Sequence, residues 1–309
     1  MQKGVSLDHH IPVLANEVVA SFKSLLSKEN LTYFDGTFGR GGHYQLLKSN
    51  YNITKSLATD QDLSAIAYCQ KNFPEVQIQH CNFLDFAQTN VQKIDMILCD
   101  LGVSSPQLDQ GDRGFSFNKD GPLDMRMNQK HSMTAARIVN EFTEDDLFKV
   151  FREYGEIQNP ARVIRAIVED RKTEPFETTL QLSGLIERVE GWRKKGFHPA
   201  TQFFMGLRLV VNQELKVVEQ GVPLLINHLN DGGIISIITF HSLEDRIVKN
   251  LFKDSDLGFA VEKKVIVPTE EECKINPRAR SAKLRIFQKG QRPEKPDKFA
   301  LRRMQRNQI

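Results

Sequence analysis

LTYFDGTFGRGGH, residues 31–43, holds a β-prone run, LTYFD, that passes without a spacer into a glycine-rich turn. Glycine in such a turn tolerates positive φ and lets the backbone approach a ligand closely. An α/β sheet that binds a nucleotide-like ligand begins this way. Working outward, SLATD (56–60) is short, β-prone and ends in an acid. VQIQH (76–80) and IDMILCD (94–100) follow, with helix-like segments between. IISIITFH (234–241) is an almost unbroken β-branched run after Asp231-Gly232-Gly233. Such runs suit central parallel strands buried on both faces. VEKKVIVP (261–268) and AKLRIFQK (282–289) read as a final pair closing the sheet. The fold class is α/β.

A long interruption separates the fourth and fifth of these strands. Residues from roughly 132 to 228 read as helices by their apolar spacing. Thr143-Glu144-Asp145-Asp146 resembles a capping box with Asp in the last place. Leu147, Val150, Phe151 and Tyr154 follow at helical spacing. Val163, Ile164, Ile167 and Val168 predict a second helix, and Leu182, Leu185, Ile186 and Val189 a third. Leu207, Val210, Val211, Leu215 and Val218 predict one longer helix. A βα connection is normally about 2–6 residues, so a segment this long must carry its own packing. The division expected is 1–107 with 216–287 as the sheet domain, 108–215 as an inserted all-helical domain, and 288–309 as a basic, disordered tail.

The chain has 309 residues, 40% hydrophobic and 26% charged, a balance typical of a globular protein. No apolar run approaches the roughly 20 residues that span a bilayer, and no secretory signal is visible, so a cytoplasmic location without membrane is expected. Cys69, Cys81, Cys99 and Cys273 form no CxxC pair, and no His cluster has zinc-ligand spacing, so neither a disulfide framework nor a metal is expected. The net charge of +3 hides an asymmetry: residues 288–309 hold seven basic and two acidic side chains. Such a tail gains affinity for RNA phosphates by counterion release or serves only solubility.

The pattern Gly39-x-Gly41-Gly42 alone is weak evidence for a ligand site. Asp60 strengthens it, because an acid at the end of the second strand lies where nucleotide-binding folds hold ribose hydroxyls. Its alternative role is to cap the following helix. The turn lacks GxGxxG, which disfavours a pyrophosphate ligand, and lacks GxxxxGK[ST], which excludes a P-loop. S-adenosylmethionine, with ribose and adenine but no phosphate, fits this partial match. Phe83 is placed to lie along an adenine or to serve as a core aromatic. Asp100 ends the fourth strand and faces the ligand crevice, unless it is a buried structural acid.

The chain also resembles a known family, the bacterial 16S ribosomal RNA cytosine-N4 methyltransferases. The resemblance is carried by HHIPVLANEV (9–18), FDGTFGRGGH (34–43), DLGVSSPQLD (100–109), RGFSF (113–117) and GPLDMRM (121–127). It continues through YGEIQNPARVIRAIV (154–168), HPATQFF (198–204), FHSLEDRIVK (240–249) and NPRARSAKLR (276–285). It implies a Rossmann-like class I S-adenosylmethionine-dependent methyltransferase with an inserted all-helical domain. It implies that Gly41, Gly42, His43, Asp60, Phe83, Asp100 and Gln107 contact S-adenosylmethionine. His43 and Gln107 rest on the resemblance alone. The implied partner is 16S rRNA in the small ribosomal subunit; a homodimer is left open. The chain departs from the family at Gln202, where Arg is usual, at Met205, where Gln is usual, and at Ile157-Gln158-Asn159-Pro160.

The implied acceptor is an exocyclic amine whose lone pair is conjugated into the cytosine ring, a poor nucleophile. The donor is a sulfonium, already electrophilic. Catalysis then rests on in-line positioning and on acceptors that stabilise the charge developing on nitrogen. Asp100 and the carbonyls of Val103-Ser104-Ser105-Pro106 occupy the right loop. His241 and Glu244 are candidate proton acceptors, with helix capping and pairing as their alternative. The target base must be unpaired or flipped. Arg113, Arg126, Arg278 and Arg280 are candidate holders of RNA phosphates, and Arg162, Arg165, Arg193, Lys194 and Lys195 would extend that surface. Two other readings are a methyltransferase acting on DNA or protein, and a non-catalytic ribosome-assembly factor that retains the pocket.

Overall fold

The computed structural model describes residues 12–191 and 198–292. Its centre is a seven-stranded sheet in the order β3-β2-β1-β4-β5-β7-β6. The strands are β1 (Leu31–Asp35), β2 (Ile53–Asp60), β3 (Gln77–His80), β4 (Ile94–Asp100), β5 (Leu229–Thr239), β6 (Gly258–Ala260) and β7 (Lys283–Lys289). The strands β1 to β5 run parallel, and β7 pairs antiparallel with both β5 and β6. The chain moves outward from β1 to β3 and then returns to place β4 on the other side of β1. A ligand crevice opens beyond the carboxyl ends at such a reversal. The fold is Rossmann-like.

Alternation along the strands explains why the sheet is covered on both faces. Tyr33, Met96, Leu98, Ile234 and Ile238 pack into one core with Val18, Phe22 and Tyr44. Their strand neighbours Phe34, Ile97, Cys99, Ile235 and Ile237 pack into the opposite core with Val222 and Leu225. Successive side chains point to opposite faces, so a strand buried on both sides must be apolar throughout. The covering helices before the interruption are α1 (Ala15–Ser21), α2 (Gly42–Asn50), α3 (Leu63–Asn72), α4 (Phe83–Thr89) and α5 (Ser105–Asp109).

The helical part contains α6 (Ala135–Glu141), α7 (Glu144–Lys149), α8 (Ala161–Asp170), α9 (Thr179–Glu190) and α10 (Ala200–Val211). A third core, with Leu123, Ile138, Phe151, Ile164, Leu182, Phe203 and Leu207, draws its buried members from residues 115–211, and the partly buried Val103 and Leu108 pack against it. Thr143 caps α7: its side chain accepts from the Asp146 amide. The chain then returns to the sheet through α11 (Glu214–His228), α12 (Ser242–Asp254) and α13 (Glu270–Ile275).

Three details differ from the sequence reading. The single long helix expected through Leu207 and Val218 is two, because Asn212 breaks it. The Asn212 side chain accepts from the Met127 amide and donates to the Met125 and Arg208 carbonyls, and Gln213 turns left-handed at φ 50°. The run 261–268 is not a strand. It touches β7 only through Val261 N to Ile286 O and the Ile266–Leu284 bridge, while the strand paired with β7 on the side away from β5 is β6. The strand β7 extends to Lys289, so a tail cannot begin at 288. The rest of the basic tail, from 293, and Arg193, Lys194 and Lys195 lie outside the described residues. Among the described residues no helix is long and apolar enough to cross a membrane.

Candidate active site

The carboxyl ends of β1, β2, β4 and β5 enclose a cleft of about 250 Å³. Its wall includes Asp35, Gly42, Asp60, Phe83, Asp100 and Gln107. The lining also includes Phe240 and Glu244, which follow β5, and Asn276 and Arg278, which precede β7. Gly41 itself does not line it. Gly41 caps α2 in a left-handed conformation, φ 72°, and a Cβ there would lie 2.7 Å from Phe73 and 2.9 Å from Phe38. Its role is to make the turn fit against two aromatic rings.

Hydrogen bonds close the glycine-rich turn onto β2. Asp60 accepts from the Gly39 amide and the Asp62 amide, each at 2.8 Å. Both oxygens retain a second lone pair, which is what a ribose hydroxyl pair requires. Burial pushes the Asp60 carboxyl up to about 6, against these amide bonds. The helix cap expected of Asp60 belongs to Asp62, which accepts from Ser64 N at 2.9 Å. Asp35, at the end of β1, accepts from Tyr33 Oη at 2.7 Å and Thr37 N at 3.1 Å, and burial raises it to about 6. Phe83 is buried at the start of α4, packs in the core as its alternative reading has it, and also lines the cleft. The Arg40 guanidinium lies 4.6 Å over the Tyr68 ring, and both residues line the cleft.

Gln107 lines the cleft, but its amide group also serves the protein. Its oxygen accepts from Ser104 N at 2.9 Å, and its nitrogen donates to Asp62 Oδ2 at 2.9 Å. His43 is similarly held. Its Nε2 donates to the Val13 carbonyl at 2.8 Å, so Nδ1 carries a lone pair, 3.8 Å from Asp100 Oδ2. Burial lowers the His43 pKa and keeps the ring neutral.

Asp100 ends β4 and lines the cleft. Its Oδ1 is buried and receives no hydrogen bond within the described residues. Burial, and then the charge of Glu244, push its carboxyl up to about 7. A buried acceptor without a donor is costly, and an amine entering the cleft would supply the missing N–H. His241 is not part of the lining. It caps α12, with Glu244 N donating to its Nδ1 at 3.5 Å, and its Nε2 lies 3.1 Å from Glu244 Oε1. The capping alternative therefore describes His241, whereas Glu244 does reach the cleft wall.

The arginines divide. Arg113 is only 8% exposed, donates to Asp62 Oδ2 at 2.6 Å and to the Arg126 and Met127 carbonyls. It is a buried strut, and the phosphate contact expected of it is corrected. Arg126 is likewise spent on both oxygens of Asp124 and on the carbonyls of Gln129 and His131. Arg278 and Arg280 are exposed. Arg278 pairs with the exposed Asp109 at 2.7 Å and lines the cleft. Sequence reasoning missed Asp62 and Glu214. Asp62 carried a signal, an acid immediately before the apolar run of α3; Glu214 carried none.

A sequence model described as the MraW methylase family matches residues 8–290. The chain belongs to that family. Among its relatives, "Ribosomal RNA small subunit methyltransferase H" of Bdellovibrio bacteriovorus is 57% identical over 292 residues, covering 92% of this chain and 89% of that protein. The protein of the same name in Synechococcus elongatus is 42% identical, covering 91% and 95%. That of Clostridium botulinum is 40% identical, covering 91% and 98%. S-adenosylmethionine is the cofactor of the family's cleft, and the residues present fit it. Asp60 offers ribose acceptors, Phe83 an aromatic wall, and Asp100 an unpaired oxygen.

Proposed function

We propose that the protein methylates the exocyclic N4 amine of a cytosine in 16S rRNA of the small ribosomal subunit. The observation that carries this reading is the unpartnered Oδ1 of Asp100 at the cleft floor. It asks for a hydrogen-bond donor, and an amine offers one where a ring carbon does not. Relatives named as small-subunit ribosomal RNA methyltransferases, similar over nine-tenths of the chain, support an RNA substrate.

S-adenosylmethionine supplies an electrophilic methyl on a positively charged sulfur. Asp60 and the glycine-rich turn would hold its sugar, and Phe83 would flank its base, all three being part of the cleft wall. Asp100 Oδ1 accepts from the cytosine amine. This orients the nitrogen toward the methyl and stabilises the positive charge that grows as the new N–C bond forms. Val103, Ser104, Ser105 and Pro106 border the same space. We assign the helical insertion, residues 108–215, to substrate recognition. Arg278, which lines the cleft, and the exposed Arg280 nearby in sequence are the phosphate contacts retained.

The test is transfer from methyl-labelled S-adenosylmethionine to small ribosomal subunits, naked 16S rRNA, DNA and protein. Label in the RNA supports the reading. Label only in DNA or protein, or cofactor binding without turnover on any substrate, overturns it.

A further inference from the structure

The cleft wall also holds a cluster of charges that methyl-donor binding does not use. Glu244, on α12, is 1% exposed and Glu214, on α11, is 8% exposed, yet both line the cleft. Glu214 is bound on both oxygens by Arg208 of α10, at 2.9 and 3.1 Å, and so forms a closed ion pair. Glu244 has no such partner for its whole charge. Its Oε2 accepts from the Phe240 amide at 3.0 Å, and its Oε1 lies 3.1 Å from His241 Nε2. Burying an ion is costly, and a cleft that already holds Asp100 is an unfavourable place for a second carboxylate.

The arrangement makes sense if the two acids divide their roles. Burial acts to raise the Glu244 carboxyl, but His241, Arg208 and the Phe240 amide outweigh it and hold it below the usual range. Asp100 has no such support: burial and Glu244 both raise it. The groups facing Asp100 are neutral His43 from α2, Asp35 from β1 and Glu244 from α12. Those facing Glu244 are His241, Arg208 and Glu214. Asp100 ends β4, Glu244 lies in the first turn of α12 just after the adjacent strand β5, and both line the same cleft.

We propose that Glu244 is a positioning residue that acts through Asp100, its fixed charge making Asp100 the resting place for the proton shed by the methylated amine. The inference rests on the amine reading above. As the N–C bond forms from the nitrogen lone pair, the C–S bond breaks with its pair on sulfur. The cationic nitrogen then loses one proton to the Asp100 carboxylate, which passes it to water once product leaves.

The experiment is the pH dependence of kcat/KM for methyl transfer to small subunits by the wild type, Glu244→Gln, Glu244→Asp and Asp100→Asn. The wild-type rate falls on the acid side as Asp100 protonates. Glu244→Gln removes a negative charge, so the acid limb moves to lower pH, by about one unit. Glu244→Asp keeps the limb near its wild-type position, and Asp100→Asn abolishes it. Carboxyl ¹³C NMR of the wild type supplies a readout that needs no variant: Glu244 stays ionised while Asp100 titrates. A Glu244→Gln limb that coincides with wild type, or Glu244 titrating at or above Asp100, overturns the proposal. If wild type transfers nothing to RNA, the amine reading falls, and the NMR titration still decides the relation between the two acids.

Discussion

Replacing Arg113 by Met separates a structural strut from a phosphate contact. The Arg113 guanidinium and the Asp62 carboxylate are each 8% exposed and 2.6 Å apart. Burial acts to raise the Asp62 carboxyl, but Arg113, the Ser64 amide and Gln107 hold it below the usual range. Removing one partner of a buried pair costs about 3–5 kcal/mol, because the other charge is left without compensation. Met keeps the apolar stem but also gives up the bonds to the Arg126 and Met127 carbonyls. For a chain of this size about 2 °C of Tm is lost per kcal/mol, which gives a fall of about 6–10 °C. The assay is thermal and denaturant unfolding beside the salt dependence of RNA affinity. Asp62→Asn retains the α3 cap through an amide oxygen, so the double variant should lose clearly less than the sum of the two singles. Stability within about 1 kcal/mol of wild type, together with a salt slope reduced by about one, would refute the strut.

Three further outcomes follow from the same geometry. Asp60→Asn weakens S-adenosylmethionine binding. In the wild type, affinity falls as pH drops through about 6, since a protonated Asp60 cannot accept from both ribose hydroxyls; calorimetry across pH checks both. Asp100→Asn gains stability relative to wild type as pH rises. The folded carboxyl is raised to about 7, so its contribution is fully present below its unfolded value and lost as pH climbs through 7. Denaturant unfolding at pH 5 and pH 8 reads the sign. Gly41→Ala loses about 2–4 kcal/mol, from a left-handed Ala and from overlap with Phe38 and Phe73; equal stability would contradict the assigned turn.

The parts of the fold legible in the sequence were those set by local pattern. β1 and β4 have the limits read from LTYFD and IDMILCD, because burial on both faces writes a continuous apolar run. The cap at Thr143 was readable because it is local, the Asp146 amide donating to the Thr143 hydroxyl three positions back, although Asp146 does not close a capping box onto the Thr143 amide. What stayed hidden depends on partners far away in the chain. VEKKVIVP looks like a strand, yet it reaches β7 at Val261 and Ile266 without pairing along it. The break at Asn212 is made by bonds to Met125 and Met127, more than eighty residues earlier. In the site, strand-end logic located Asp60 and Asp100 because topology forces strand ends to the crevice. It could not show that Arg113 is bonded to Asp62, 51 positions away, nor that Glu244 and Glu214 converge on the same cleft. A lone arginine in a loop reads as a surface charge until its partner is known.

The most direct test of the account is nucleoside mass spectrometry of 16S rRNA treated with the protein and trideuteromethyl S-adenosylmethionine, wild type beside Asp100→Asn. The account predicts N4-trideuteromethylcytidine with wild type and a yield rate lower by about 10²–10³ with the variant, the usual loss for one preorganised acceptor of developing charge. Deuterated methyl on a ring carbon or a ribose hydroxyl, or an undiminished rate without the Asp100 carboxylate, would contradict it.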